Sequence, residues 1–193
     1  MSLSEARTAL VKDRVLDGVA SVLASGEELT FARIAVAAEV PERTVYRHFP
    51  TRQALLTAVF DWINQRVDAD RATTAAEAGE LVRRAFPVFD EVAPVVRELL
   101  VAREGHPARL ADNADRQAAA LALVAHHVPR ADAKTSRRLA AVVQLLTSAA
   151  AWQALRDYWD LDGPEAAEAS ALAIELLLTA AASSSTTKKG RPR

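Results

Sequence analysis

Apolar residues recur at helical spacing along almost the whole chain, and this pattern limits the fold more than any other feature. The first segment, residues 4–24, carries Val11, Val15, Val19 and Val22 three or four positions apart, as on the buried stripe of a helix. Similar spacing continues to about residue 182, with no alternating strand pattern and no internal repeat. Because only 6 glycines and 8 prolines interrupt the 193 residues, most of the length can run as helix. The sequence therefore predicts an all-α protein.

Glycine and proline mark the ends of the predicted helices. Gly26 ends the first helix, and Pro50 separates the third helix from the fourth. Gly163 and Pro164 precede the last one. Later helices are expected from about residue 77, kinked or divided at Pro87 and Pro94, and then over residues 109–128, 132–159 and 165–182.

The composition is that of a soluble globular protein, with half of the residues apolar, a quarter charged and a net charge of −1. The near-neutral charge counts weakly against a nucleic-acid partner. The absence of cysteine excludes disulfides and thiolate metal sites and is consistent with the cytosol. Neither a signal-peptide core nor an apolar span of about 20 residues is apparent. We therefore expect a cytoplasmic protein with no membrane partner.

Residues 30–52 predict two short helices joined by a tight turn. On a wheel at about 100° per residue, Val45 and Phe49 of the second helix fall together and face inward. Arg43 and Arg47 fall on the opposite side, with Thr44 nearby. A short helix with outward arginines fits the DNA major groove, where arginine reads guanine through two hydrogen bonds. The alternative interpretation is a helical hairpin with a solvated charged face.

The segment from Thr30 to Leu56, TFARIAVAAEVPERTVYRHFPTRQALL, resembles the DNA-binding signature of the TetR family of repressors. The matches include an Ile-Ala pair, a Thr-x-Tyr-x-His-Phe recognition helix, and an arginine that opens the next helix. The resemblance implies a dimeric repressor that a small-molecule inducer releases from a palindromic operator. It also implies DNA contacts, mostly to phosphate. These would be made by Thr30, Thr44, Tyr46, His48 and Arg52, with Arg43 and Arg47 at the variable positions that set sequence preference.

Two residues of the turn depart from the family pattern. Glu39 stands where the family usually has glycine, and a left-handed glutamate costs roughly 1 kcal/mol that glycine would not. Pro41 stands in place of the usual serine, so a side-chain cap is lost. Neither change removes a DNA contact, but both bear on the angle of the recognition helix.

Three parts are predicted: a DNA-binding domain over residues 1–66, a ligand-binding and dimerisation domain over residues 67–182, and a disordered basic tail over residues 183–193. The helix predicted over residues 165–182 is apolar nearly all round. Because such a helix is buried on every side, we expect a homodimer through it and the helix over 132–159. The Gly-Arg-Pro core of the tail resembles an AT-hook, which binds narrow minor grooves. A solubilising chain end is the alternative for the tail.

A largely apolar ligand pocket is expected within the second domain, bounded by the helices that carry Phe86, Leu100, Leu123 and Trp152. Polar residues at helical spacing beside a tryptophan would orient the ligand, although helix packing explains them equally well. The predicted lining residues are Phe86, Leu100, Leu123, His126, Gln144, Thr147 and Trp152.

No cofactor, metal or catalytic site is predicted. His126 and His127 are adjacent on a helix and point about 100° apart, which does not suit chelation of one metal. The chain has no glycine-rich phosphate loop and no triad motif. Two rival functions stay open at this point. One is a helix-turn-helix regulator controlled by a protein partner, and the other is a helical enzyme or carrier with a silent helix-turn-helix.

Overall fold

The computed structural model describes residues 2–68 and 71–187, and all regular structure within these residues is α-helical. The all-α prediction is therefore confirmed, with a helix-turn-helix near the N-terminus. In chain order, the helices of the described residues are α1 (Leu3–Ala24), α2 (Phe31–Ala37), α3 (Glu42–His48), α4 (Arg52–Arg66), α5 (Ala75–Glu91), α6 (Ala93–Val101), α7 (Gly105–Leu110), α8 (Asn113–His127), α9 (Ala133–Leu146), α10 (Ala149–Trp159) and α11 (Gly163–Thr187).

Two helices that the sequence predicts as continuous are divided. The expected helix over 132–159 breaks into α9 and α10, because the Ser148 hydroxyl accepts a hydrogen bond from the Ala151 amide and so starts a new helix. The expected helix over 109–128 is α7 followed by α8. Pro87, in contrast, lies inside α5 without dividing it, whereas Pro94 falls in the first turn of α6, where proline is tolerated.

The last helix is longer than its apolar pattern predicts. α11 continues to Thr187, so the expectation of disorder from residue 183 is wrong for this stretch. The hydroxyls of Ser183 and Ser184 donate to the carbonyls of Thr179 and Ala180, at 3.0 and 2.9 Å. Such bonds occupy the hydroxyls without ending the helix. The AT-hook prediction falls on residues 188–193, which lie outside the described residues.

The chain divides into two compact units. Among the described residues, unit 1 comprises those up to Gln65 together with Val92–Leu110, and unit 2 comprises those of Arg66–Glu91 and those from Ala111 onward. One division between the units falls between Gln65 and Arg66, and α6 and α7 belong with the N-terminal helices in unit 1. The functions assigned to the two parts stay predictions.

The core of unit 1 forms around α1, which packs on α2 and α6. Val15, Val19 and Ile34 are fully buried there. Gly18 allows the close approach of α1 and α2, because a Cβ at this position would lie 3.0 Å from the Cβ of Ala38. This close packing fixes α2, the first helix of the helix-turn-helix, on the longest helix of the unit.

The core of unit 2 is organised by α11, which packs mainly on α5. One group of buried residues joins Leu123 and Val124 of α8 to Val143 of α9 and Ile174 of α11. The stretch Gly163–Ser184 is long and apolar enough to span a membrane by length and composition, with a mean hydropathy of 1.4. The prediction that the chain contains no such stretch is therefore wrong for α11. The core helix of a soluble protein meets the same criterion, and α11 buries one face in unit 2.

Candidate nucleic-acid interface

The helix-turn-helix begins with a capped helix. The Thr30 hydroxyl accepts a hydrogen bond from the Arg33 amide at 3.3 Å, which satisfies one of the free N–H groups at the start of α2. Ile34 and Ala35 of α2 are buried. Thr30 is therefore the N-cap of α2, and its hydroxyl already accepts a hydrogen bond within the protein. Its phosphate contact stays a prediction.

The turn between α2 and α3 contains a left-handed residue. Glu39 has a φ of 53°, the conformation in which the family pattern has glycine. The Val40 amide donates to the Ala35 carbonyl at 3.0 Å, which closes the end of α2. The Glu39 carboxylate lies 3.2 Å from a guanidinium nitrogen of Arg14 on α1. The turn thus contains a left-handed glutamate that is ion-paired with α1.

The recognition helix α3 is locked by the two apolar residues that the wheel predicts to face inward. Val45 is fully buried and Phe49 is 3 % exposed. Pro41 precedes the helix and forms no side-chain cap. Because α3 has only seven residues, its orientation depends on these packing contacts rather than on its own helical stability.

Arg43 and Arg47 are both exposed on α3, as expected for residues opposite Val45. A terminal nitrogen of Arg47 lies 3.4 Å from the Nε2 atom of His48. Both guanidinium groups belong to the solvent-facing side of a helix whose other side is packed. This arrangement leaves both guanidinium groups accessible, as the predicted contacts to base edges require.

Tyr46 and His48 flank the arginines, and Thr44 is half-buried. The Tyr46 ring packs edge-on against Phe31 at a centroid distance of 4.6 Å while half of the residue stays exposed. Partial burial, with the charges of Arg47 and Lys12 adding to it, lowers the pKa of His48 below its usual value of 6.5. The lowered pKa favours the neutral form of His48 in the absence of DNA, and a nearby phosphate would favour its protonation.

Arg52, the remaining predicted DNA contact, is engaged with protein groups. Its guanidinium donates to the Leu29 carbonyl at 2.7 Å and to a Glu98 carboxylate oxygen at 2.5 Å. Sequence reasoning gave no sign of these partners, because Glu98 lies 46 positions away on α6.

The predicted ligand-lining residues occupy several environments. Phe86 and Trp152 are fully buried. The ring of each packs against the ring of Phe89, with a centroid distance of 5.8 Å in both pairs. Leu123 belongs to the buried group with Ile174. Leu100 is half-buried in unit 1, and His126 is exposed at the end of α8.

Two of the polar candidates, Gln144 and Thr147, have hydrogen-bond partners within unit 2. The Gln144 amide donates to the Asn113 side chain at 2.9 Å. The Thr147 hydroxyl bonds back to the carbonyls of Val143 and Gln144, each at 3.2 Å, as the helix-packing alternative expects. An open cleft of about 520 Å³ lies elsewhere in unit 2. It is lined by Arg83, Pro87, Pro164, Glu165, Ala167 and Glu168.

Two polar junctions in unit 2 escaped sequence reasoning. Asp90 accepts hydrogen bonds from the Trp152 indole, the Arg156 guanidinium and the Gly163 amide. His127 accepts one from the Ala75 amide at the start of α5, at 2.9 Å. Burial, with His126 adding to it, lowers the pKa of His127. The partners are more than 50 positions apart in each case, and no local pattern joins them. No group of His, Cys, Asp and Glu suited to a metal occurs among the described residues.

Comparison with protein families gives one match. Residues 26–59 match the model for bacterial regulatory proteins of the tetR family. These residues contain α2, the turn, α3 and the first half of α4. No curated protein and no solved structure gives a significant match.

Proposed function

From the premise that residues 26–59 make this chain a DNA-binding transcriptional regulator of the TetR family, we propose that it is a dimeric repressor of a palindromic operator, released by a small molecule. The observation that carries the DNA-binding part is the recognition helix. α3 is fixed by buried Val45 and Phe49 and presents Arg43 and Arg47 to solvent. In this proposal Arg43 and Arg47 read base edges. The DNA phosphate backbone is contacted by Thr30, Thr44, Tyr46 and His48.

Exposed apolar residues on the last helices support a homodimer. Leu172 and Leu176 of α11 are 57 % and 60 % exposed. Tyr158 and Trp159 at the end of α10 are more exposed still. Exposed apolar side chains of this kind can mark an interaction site. A second copy of the chain is the proposed occupant, because a two-fold operator is bound by a two-fold dimer.

Selection of duplexes from a random DNA pool by the purified full-length protein tests the DNA-binding and dimer proposals together. A two-fold dimer should enrich near-palindromes with half-sites about one helical turn apart or somewhat more. Enrichment of a single half-site would contradict the dimeric arrangement, and no enrichment over unbound DNA would contradict operator binding itself. A reporter gene placed behind the selected operator then separates repression from activation.

The small-molecule proposal places the ligand in unit 2. Unit 2 supports it by carrying aromatic rings of the kind that line apolar ligand sites. Binding of the ligand must favour one shape of the dimer over another for DNA to be released. Screening apolar compounds by thermal shift, followed by anisotropy of the protein–operator complex, is the corresponding measurement. A compound that raises the melting temperature and also releases the operator supports an inducer.

Control by a protein partner is the second candidate, and the packing of unit 2 favours it. Phe86 and Trp152 have no exposed surface and contact their neighbours directly, so an inducer there would have to displace packed rings. The open cleft beside Arg83 and Glu168 is the alternative surface. If no compound shifts the melting temperature while a protein from the same cells releases the operator, the partner-controlled function replaces the small-molecule one.

A further inference from the structure

The guanidinium of Arg52 is hydrogen-bonded to two parts of unit 1 and lies near a third. One terminal nitrogen donates to the Leu29 carbonyl at 2.7 Å, and the other donates to Glu98 at 2.5 Å. The Nε atom lies 4.0 Å from a carboxylate oxygen of Glu104. A planar guanidinium holds such bonds in fixed directions, so Arg52 sets the relative positions of the groups it bonds.

These groups lie at both ends of the helix-turn-helix. Leu29 directly precedes Thr30, the cap of α2, and Arg52 follows Phe49, the end of α3, by three residues. Glu98 lies on α6, which packs against α1 within the same unit. One side chain therefore ties the start and the end of the helix-turn-helix to a single helix outside it.

The charges around Arg52 oppose a phosphate contact. One guanidinium faces two carboxylates, so the group Arg52, Glu98 and Glu104 carries a net charge of −1. The Glu98 side chain is 20 % exposed. If Arg52 turned to a DNA phosphate, it would leave this partly buried carboxylate without its cation and close to a second anion, which is unfavourable on both counts.

We propose that Arg52 is a positioning residue that clamps the helix-turn-helix onto α6 through Glu98, and that it does not contact phosphate. The clamp fixes the orientation in which α3 presents Arg43 and Arg47. This inference rests on the proposed DNA-binding function, and it replaces the phosphate contact that the family resemblance implies for Arg52.

Four variants test the clamp: Arg52→Lys, Arg52→Gln, Glu98→Gln and, as the matched control, Glu104→Gln. Glu104→Gln removes the same charge as Glu98→Gln but breaks no hydrogen bond. Affinities for the selected operator and for an unrelated duplex are measured by anisotropy over a range of salt, below the melting temperature of every variant. Arg52→Lys keeps the charge but loses the paired bonds, so operator affinity should fall about tenfold.

The clamp also predicts what stays constant. Affinity for the unrelated duplex and the salt slope should not change in Arg52→Lys or Arg52→Gln. Glu98→Gln should weaken operator binding about tenfold relative to Glu104→Gln. A loss of specificity at constant non-specific affinity is not expected from a change in fold stability alone.

The opposite pattern would overturn the clamp. A phosphate contact predicts that Arg52→Lys binds as the unmodified protein does, that Arg52→Gln loses affinity for both duplexes with a salt slope smaller by about 0.9, and that Glu98→Gln strengthens binding. Variants that melt earlier but keep the same ratio of operator to non-specific affinity would also overturn it. If the unmodified protein binds no duplex at all, the proposed function fails together with the clamp.

Discussion

Replacing Asp90 by alanine should strongly destabilise unit 2, because this carboxylate joins three helices. Its Oδ1 accepts from the Trp152 indole at 2.8 Å and from Arg156 at 2.6 Å, and its Oδ2 accepts from the Gly163 amide at 2.6 Å. Trp152 and Gly163 are buried, so their N–H groups would each lose a partner at a cost of about 1–3 kcal/mol. The Arg156 side chain is 33 % exposed and regains water, so its ion pair adds less than about 1 kcal/mol.

The expected loss in the free energy of unfolding is therefore about 2–7 kcal/mol. Urea denaturation of the full chain at pH 7, followed by circular dichroism, measures it. Asp90→Asn should lose about half as much, because its amide keeps one acceptor oxygen but turns a donor toward another N–H group. Glu91→Ala is the matched control, since this exposed neighbour on α5 should change stability by less than about 0.5 kcal/mol. Equal stability of Asp90→Ala and Glu91→Ala would refute the reasoning.

Three further predictions follow from single residues. Glu39→Gly removes the strain of a left-handed glutamate (φ 53°) but also removes an exposed ion pair with Arg14. The free energy of unfolding in urea should therefore rise by about 0.5–1 kcal/mol, and a lower value would contradict backbone strain at this position. The pKa of His127 is lowered in the folded protein, so on acidification the unfolded chain binds a proton first and the free energy of unfolding should fall below about pH 6.5. His127→Gln keeps an acceptor for the Ala75 amide but does not titrate, so it should lose less free energy of unfolding between pH 8 and 5.5. Equal acid losses would contradict that role. Leu176→Glu should give monomers in light scattering and abolish operator binding, whereas Leu121→Glu should do neither.

The helix-turn-helix is the part of the fold that the sequence predicts best, because its determinants are local. The inward positions of Val45 and Phe49 follow from helical spacing within one short segment, and both residues are buried. The exposure of Arg43 and Arg47 follows from the same wheel. The left-handed turn at Glu39 is likewise local, since the family pattern marks that position for glycine.

Features that depend on distant pairing could not be predicted. From the sequence, Arg52 is predicted to contact phosphate. Its hydrogen bond to Glu98, 46 positions away, is visible only in the structure. Nothing in the spacing of Asp90 joins it to Trp152, 62 positions away. The break before α10 had a local signal in Ser148, since serine competes for backbone hydrogen bonds. The alanines from 149 to 151 favour an unbroken helix, however, and the sequence pattern therefore predicts one.

The central claim is that α3 reads operator bases through Arg43 and Arg47. Binding of Arg43→Ala and Arg47→Ala to the selected operator, and to operators with single base-pair changes, tests it most directly. Arg138→Ala, which removes one exposed charge from α9, is the control. We expect each α3 variant to lose about 1–3 kcal/mol of binding free energy and to relax base preference within the half-site, with the control unchanged. Unaltered operator affinity in both α3 variants would contradict the assignment of α3 as the reading helix.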